Sequence, residues 1–108
     1  QVECAKRTAE LLTQELTVHR TIEQLAQEVG LSATALKTCF KGVYGSSVYA
    51  YQKEYRLQLA QKLLVETDNT VAEIARRIGY ENPNKFSSAF RQSRGMTPTQ
   101  YRKRCPIG

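Results

Sequence analysis

Two ten-residue stretches, TIEQLAQEVG at Thr21–Gly30 and TVAEIARRIG at Thr70–Gly79, follow the same pattern at an offset of 49 residues. Each begins with a threonine that is followed three residues later by Gln or Glu, an arrangement typical of a helix capping box. Each ends with a glycine, the residue that most often terminates a helix. Self-similarity of this kind indicates one supersecondary unit that occurs twice.

The repeat continues beyond the glycines, where the offset becomes 50 residues. Leu36 corresponds to Phe86 and Phe40 to Phe90, and the second copy therefore has one extra residue in its turn region. A short capped helix, a glycine turn and a second helix form a helix-turn-helix unit, whose second helix enters the DNA major groove. A helical bundle built from repeated helix pairs is the alternative that the pattern alone leaves open.

The remaining sequence also has helical periodicity, and we predict an all-α fold of seven helices. The predicted helices lie at about 2–16, 21–30, 32–45, 47–66, 70–79 and 82–95, with a short last helix from 97. On the third helix the expected inward residues are Leu36, Cys39, Phe40 and Val43. On the long fourth helix the expected apolar residues are Val48, Tyr51, Tyr55, Leu59, Ala60, Leu63 and Leu64.

We therefore divide the chain into a first helix-turn-helix subdomain at 1–46, a linker helix at 47–66 and a second helix-turn-helix subdomain at 67–108. A linker of about 20 residues would be roughly 30 Å long. Successive major grooves on one side of B-DNA are about 34 Å apart. One chain could thus offer two recognition helices to neighbouring grooves.

Charge is unevenly distributed along the 108 residues, whose formal net charge is +6. Residues 1–52 have five basic and five acidic side chains, whereas residues 53–108 have eleven basic and five acidic ones. A basic half indicates a polyanionic partner, which by charge alone is nucleic acid or anionic lipid. No apolar run approaches the roughly 20 residues of a membrane span, so we expect no membrane association.

The sequence gives no indication of an enzyme, a metal site or a cofactor. Cys4, Cys39 and Cys105 are far apart, and Cys39 falls in an apolar helical pattern typical of a small core residue. His19, the single histidine, has no carboxylate or thiol partner nearby in the sequence, and no glycine-rich phosphate loop is present. We expect no ligand pocket in a chain this small and helical. Because the sequence begins at Gln1 without Met, we expect it to be part of a longer protein.

The second half of the chain carries three motifs: IARRIGY at Ile74–Tyr80, the F-x-x-x-F pair Phe86 and Phe90, and the closing G-x-T-P-x-x-Y-R at Gly95–Arg102. The linker has a further pattern, Y…R…A-x-x-L-L, at Tyr51, Arg56, Ala60, Leu63 and Leu64. In these motifs the chain resembles the AraC/XylS family of bacterial transcription regulators. The resemblance extends over about residues 8–104 and is strongest in the second half.

The resemblance implies an AraC-type DNA-binding domain of seven helices that binds promoter DNA in the bacterial cytoplasm, associated with the nucleoid. It also implies an N-terminal effector or dimerisation domain outside this chain, and contact with RNA polymerase. No cofactor is implied.

Subtracting the inward residues from the second helix of each unit leaves the candidate DNA contacts on those helices, and Thr34, Lys37 and Thr38 match contacting positions of the family that the chain resembles. Hydroxyls at helix starts and arginines beside these helices are further candidates for phosphate contact. Lysine can donate to guanine, threonine offers a hydroxyl and a methyl, and asparagine can pair with adenine. The family commonly has a long basic residue where this chain has Ser88, so we expect the second unit to depend more on phosphate contacts. The candidate base contacts are Thr34, Lys37, Thr38, Asn84, Ser87 and Ser88. The candidate phosphate contacts are Lys41, Ser47, Arg76, Arg77, Lys85, Arg91, Thr97 and Arg102.

Two other functions remain possible interpretations of the sequence. An enzyme is disfavoured by the absence of a catalytic constellation, and a single fast-reacting cysteine would reopen that question. A protein-interaction module could use the first helix, near Glu10 and Glu15. Salt dependence separates this last interpretation from DNA binding, because DNA affinity falls steeply with salt.

Overall fold

The computed structural model describes residues 2–104, which form seven helices and no strand. The predicted all-α class is confirmed, and each predicted helix is present with ends shifted by at most two residues. Cys105 lies outside the described residues. The helices are α1 (Val2–Gln14), α2 (Ile22–Val29), α3 (Ala33–Tyr44), α4 (Val48–Glu66), α5 (Val71–Arg77), α6 (Pro83–Arg94) and α7 (Pro98–Arg104).

The chain divides into two compact units, and the boundary falls inside α4, between Tyr55 and Arg56. We call the part up to Tyr55 the first unit and the part from Arg56 the second unit. The division into 1–46, 47–66 and 67–108 made from the sequence follows helix ends and stays a prediction.

The core of the first unit forms where α1, α2 and α3 meet. Leu36 and Phe40 of α3 are fully buried, and Leu25 and Ala26 of α2 are each 2% exposed. The Phe40 ring packs edge-on against Tyr51, with 5.3 Å between ring centroids. Small Ala26 allows the two helices of the unit to approach closely, because no long side chain separates their backbones.

The second unit repeats this core, with Phe86 at the place of Leu36. Phe86 and Phe90 of α6 are fully buried and so are Ile74 and Ala75 of α5. Phe90 packs edge-on against Tyr101 at 5.6 Å, as Phe40 packs against Tyr51. The two helix-turn-helix units thus have the same internal packing, which confirms the repeat inferred from the sequence.

The structure extends the repeat to a helix that the sequence comparison did not match. The second half of α4 occupies in the second unit the place that α1 occupies in the first, at an offset of 52 residues. The corresponding buried pairs are Ala5 and Leu57, Thr8 and Ala60, Leu11 and Leu63, and Leu12 and Leu64. The offset then falls to 49 because the loop after α1 is three residues longer than the loop after α4.

A side chain holds the equivalent helix in each unit: one from α4 holds α1, and one from α7 holds the end of α4. In the first unit Gln52 Nε2 donates to the carbonyl oxygen of Leu12 at 3.0 Å. In the second unit Arg102 Nε donates to the carbonyl oxygen of Leu64 at 2.9 Å. Different residue types therefore make the same contact at the same place in the repeat.

Two expectations about the core were wrong. Val43 of α3, expected to face inward, is 40% exposed, because Tyr44 takes that place and stacks on Phe40 with 4.7 Å between centroids. Leu57 of α4, absent from the expected apolar set, is 1% exposed. A single stripe does not describe α4, because Tyr51 packs against the first-unit core whereas Leu57 belongs to the second-unit core.

Candidate nucleic-acid interface

The α3 helix is fixed at both ends, so its exposed side is defined. Ser32 caps it by accepting a hydrogen bond from the Ala35 N–H at 3.1 Å, and Gly45 ends it with φ 76°, a conformation suited to glycine. With Leu36 and Phe40 buried, the opposite side carries four exposed polar residues at positions i, i+3, i+4 and i+7. These residues are Thr34, Lys37, Thr38 and Lys41.

The α6 helix has the same design. Asn82 caps it by accepting from the Asn84 N–H at 2.8 Å, Pro83 occupies its first turn, and Gly95 ends it with φ 79°. The polar residues at i, i+3, i+4 and i+7 are Asn84, Ser87, Ser88 and Arg91, of which only Ser87 is half-buried. Lys85 is also exposed. Both second helices thus present a polar stripe opposite a buried aromatic or aliphatic pair.

The extra residue of the second unit lies in the turn between α5 and α6. Leu31 N–H donates to the carbonyl oxygen of Ala26, and Tyr80 N–H donates likewise to Ala75, so the turns match up to that point. The N-caps Ser32 and Asn82 are the next equivalent residues, and Glu81 is therefore the insertion.

Ser47 and Thr97 begin equivalent helices, α4 and α7. The Ser47 hydroxyl accepts from the Ala50 N–H, and the Thr97 hydroxyl accepts from the Gln100 N–H. Ser47 is exposed and Thr97 is half-buried. A capping hydroxyl still has its own proton to donate, so the cap does not prevent contact with a phosphate oxygen.

Arg102 makes hydrogen bonds that hold α7 in place. Its Nε donates to Leu64 and one terminal nitrogen donates to the carbonyl oxygen of Thr67 at 3.2 Å, which fastens α7 to the end of α4. The side chain is half-buried. Its phosphate contact stays a prediction, and its structural contact is the one that the hydrogen bonds support.

Replacing Arg102 with Gln is expected to lower the free energy of unfolding by about 1–2 kcal/mol, because a charge-assisted hydrogen bond to Thr67 is lost. Chemical denaturation measures this change. The exposed neighbour Lys103 is the matched control, since Lys103→Gln removes the same charge and should change stability by less than about 0.5 kcal/mol. Equal losses in the two variants would contradict the structural role.

Arg76 and Arg77 are exposed in the last turn of α5, whose first turn holds a capping box. The Thr70 N–H donates to Glu73 Oε1 at 2.8 Å, and the Thr70 hydroxyl accepts from the Glu73 N–H. The hydrogen bond from the Thr70 backbone, and then those with its side chain and the charge of Arg76, lower the pKa of Glu73 below its usual 4.5. Its equivalent in the first unit is Gln24, which does not titrate.

A lowered carboxyl pKa stabilises the folded state above the unfolded pKa, and this contribution is lost as the pH falls through the folded pKa. We therefore expect Glu73→Gln to unfold at a lower temperature than the unchanged protein at pH 7, and the gap to close towards pH 3. Thermal unfolding at a series of pH values measures it. Gln24→Ala should leave a gap that does not vary with pH in this way, and an unchanged gap for Glu73→Gln at pH 3 would refute the expectation.

Arg20 was not singled out by the sequence and fixes the first helix-turn-helix. Its guanidinium donates to Glu15 in the preceding loop and to Glu28 near the end of α2. The hydrogen bond to Glu15 raises the pKa of Arg20, as does the bond to Glu28. Asn69 occupies the equivalent position of the second unit, so no repeat signal pointed to this contact.

Arg56 lies with its guanidinium carbon 5.8 Å from the centroid of the Tyr80 ring. Tyr80 in turn packs against Phe86 at 5.6 Å. Through Tyr80, these contacts connect Arg56 of the linker to Phe86 at the start of α6, which supports a structural role for Arg56.

A cavity of about 310 Å³ opens in the first unit, and the expectation that the chain has no ligand pocket stays a prediction. Lys37 and Ser47 lie at the same cavity, so the fold brings a candidate base contact close to a candidate phosphate contact. Its lining residues are Leu12, Arg20, Ile22, Leu25, Lys37, Ser47, Val48, Tyr49 and Gln52.

Within residues 2–104 no group of three His, Cys, Asp or Glu side chains is arranged to hold a metal ion. In the same part of the chain, every helix is too short or too polar to span a bilayer.

Comparison with known proteins agrees with this geometry. A family model described as a helix-turn-helix domain matches residues 25–104. The transcriptional activator RhaR of Enterobacter sp. is 37% identical over 83 residues, which are 77% of this chain and 29% of that protein. The C-terminal domain of AraT, a response regulator from Geobacillus stearothermophilus, has a TM-score of 0.91 at 28% identity and covers 97% of this chain and 88% of its own. The DNA-binding domain of AdpA, solved with a target DNA, has a TM-score of 0.86 at 26% identity, and the match covers 93% of this chain and 90% of the AdpA domain.

The fold and its exposed second helices define a DNA-binding domain of the helix-turn-helix class. Within that class, the chain belongs to the AraC-type helix-turn-helix family of transcription regulators. It spans less than a third of the length of the RhaR activator that it matches.

Proposed function

We propose that this chain binds a specific double-stranded DNA sequence, with α3 and α6 in two neighbouring major grooves of one duplex, as the DNA-binding part of a bacterial transcription regulator. The observation that carries the proposal is a polar stripe with the same i, i+3, i+4, i+7 spacing on the second helix of both units. An α-helix fits the major groove, and residues at this spacing share one side of it. Two such helices in one chain supply what many repressors obtain by dimerisation.

The length and charge of each side chain decide which candidate residues are main base contacts and which assist them. In the first unit Lys37 is the main base contact, because its amine can donate to guanine O6 and N7, and Thr34 and Thr38 assist it. In the second unit Asn84 contributes a base contact, and Ser87 and Ser88 assist with shorter side chains.

Phosphate contacts hold the chain on the duplex. Positive side chains on or beside the two recognition helices and hydroxyls at two helix starts supply them. We assign this role to Lys41, Ser47, Arg76, Arg77, Lys85, Arg91, Thr97 and Arg102. The second unit, which has most of these charges, depends more on phosphate contacts than the first.

Membership of the family supports a wider proposal. The chain functions by binding and not by catalysis, in the bacterial cytoplasm at the nucleoid. An N-terminal effector or dimerisation domain precedes it in the whole protein, and RNA polymerase is a further partner at the promoter.

Selection of bound duplexes from a random pool, followed by sequencing, tests the proposal. We expect an enriched sequence with two half-sites about one helical turn apart. Affinity for that sequence should fall with salt at a slope of about −0.9 per phosphate contact on a double logarithmic plot. The absence of an enriched sequence, or a flat salt response, would overturn the proposal and favour a protein-interaction module.

A further inference from the structure

We propose that Thr38 recognises the C5-methyl group of a thymine through its own methyl group, and that its hydroxyl donates no hydrogen bond to a base. The inference rests on the proposed function and specifies what one residue of it contacts.

The hydrogen bond made by Thr38 is the observation behind this assignment. Thr38 is exposed on the polar stripe of α3, one turn after Thr34 and next to Lys37. Its Oγ1 donates to the carbonyl oxygen of Thr34 at 3.1 Å. A threonine hydroxyl has one proton, and this proton is used inside the helix, so the hydroxyl cannot also donate to a base acceptor such as thymine O4.

The other branch of the exposed Thr38 side chain is a methyl group, which makes no hydrogen bond. Thymine alone among the bases presents a methyl group in the major groove, and an apolar contact with it is favourable. Ser88 holds the equivalent place on α6 and has no methyl group, so this contact belongs to the first unit only.

The experiment uses the selected DNA site, in which each thymine is replaced in turn by uracil. Uracil pairs as thymine does and lacks only the C5-methyl group. Fluorescence anisotropy at constant salt should show one position, within the half-site bound by α3, where the unchanged protein binds about fourfold more weakly to uracil, the effect of one methyl-sized group.

Two substitutions separate the methyl group from the hydroxyl. Thr38→Val keeps the methyl group and should retain the fourfold preference for thymine. Thr38→Ser keeps the hydroxyl and should bind thymine and uracil alike, about fourfold more weakly than the unchanged protein binds the thymine site. Ser88→Ala is the matched control and should retain the preference at that position, and circular dichroism checks that each variant is folded.

A loss of the preference in Thr38→Val, or its retention in Thr38→Ser, would overturn the inference and assign recognition to the hydroxyl. So would a selected site at which no uracil replacement weakens binding, although the proposed function would then still stand. If no sequence is enriched at all, the proposed function fails and the inference fails with it.

Discussion

Replacing Phe40 with alanine is expected to destabilise the first unit by about 3–5 kcal/mol and to abolish DNA binding by α3. The ring is fully buried and contacts both Tyr44 and Tyr51, so its removal leaves a cavity at the base of the recognition helix. A unit of this size rarely has more than about 3–5 kcal/mol of stability from its own core, and the loss therefore unfolds it.

The second unit offers the matched variant, because Phe90 occupies the equivalent place in a separate core. Amide spectra by NMR should show that Phe40→Ala broadens or shifts the signals of α1, α2 and α3 and leaves α5 and α6 folded, with the reverse for Phe90→Ala. Loss of all signals in either variant would show that the two cores fold as one cooperative unit.

Val43→Ala tests whether Val43 faces solvent on α3, as the structure shows. Because Val43 is 40% exposed, we expect its truncation to change stability by less than about 0.5 kcal/mol. A loss near that of Phe40→Ala would return Val43 to the core and contradict the packing of Tyr44 in its place.

The parts of the fold that were predictable from sequence are those determined by local chemistry. The capping threonines Thr21 and Thr70, the terminating glycines and the paired apolar residues of α3 and α6 each act within about ten residues. Their repetition at a nearly constant offset indicated the fold class and the polar stripes. Because both stripes follow directly from subtracting the buried pairs, the candidate base contacts could be named before the structure was known.

Contacts between distant segments were not predictable, because different residue types make them. Gln52 and Arg102 make the same contact in the two units, yet one is neutral and the other charged, so the repeat did not reveal that Arg102 also holds α7 against α4. The match between α1 and the second half of α4 was hidden because Ala5 corresponds to Leu57 and the following loops differ in length. The pairs Leu11-Leu12 and Leu63-Leu64 were the one signal that could have revealed it.

Replacing Lys37 with alanine is expected to weaken binding to the selected DNA site by about 1–3 kcal/mol and to relax the preference at a single base pair. Lys37 is exposed at the centre of the α3 stripe, and its charged amine can donate to the two acceptors of a guanine in the major groove. Titrations of the selected site and of its single-base variants measure both effects, and the preference at every other position should be unchanged.

Lys41, one helical turn further along the same stripe, is the matched control because Lys41→Ala removes the same charge from the same helix. A phosphate contact has no base preference, so Lys41→Ala should weaken selected and random DNA alike and make the salt slope about one unit less steep. Lys37→Ala should instead leave binding to random DNA nearly unchanged. If it weakened random DNA as much as the selected site, Lys37 would contact only phosphate, and base recognition by the first unit would fall to Thr34 and Thr38.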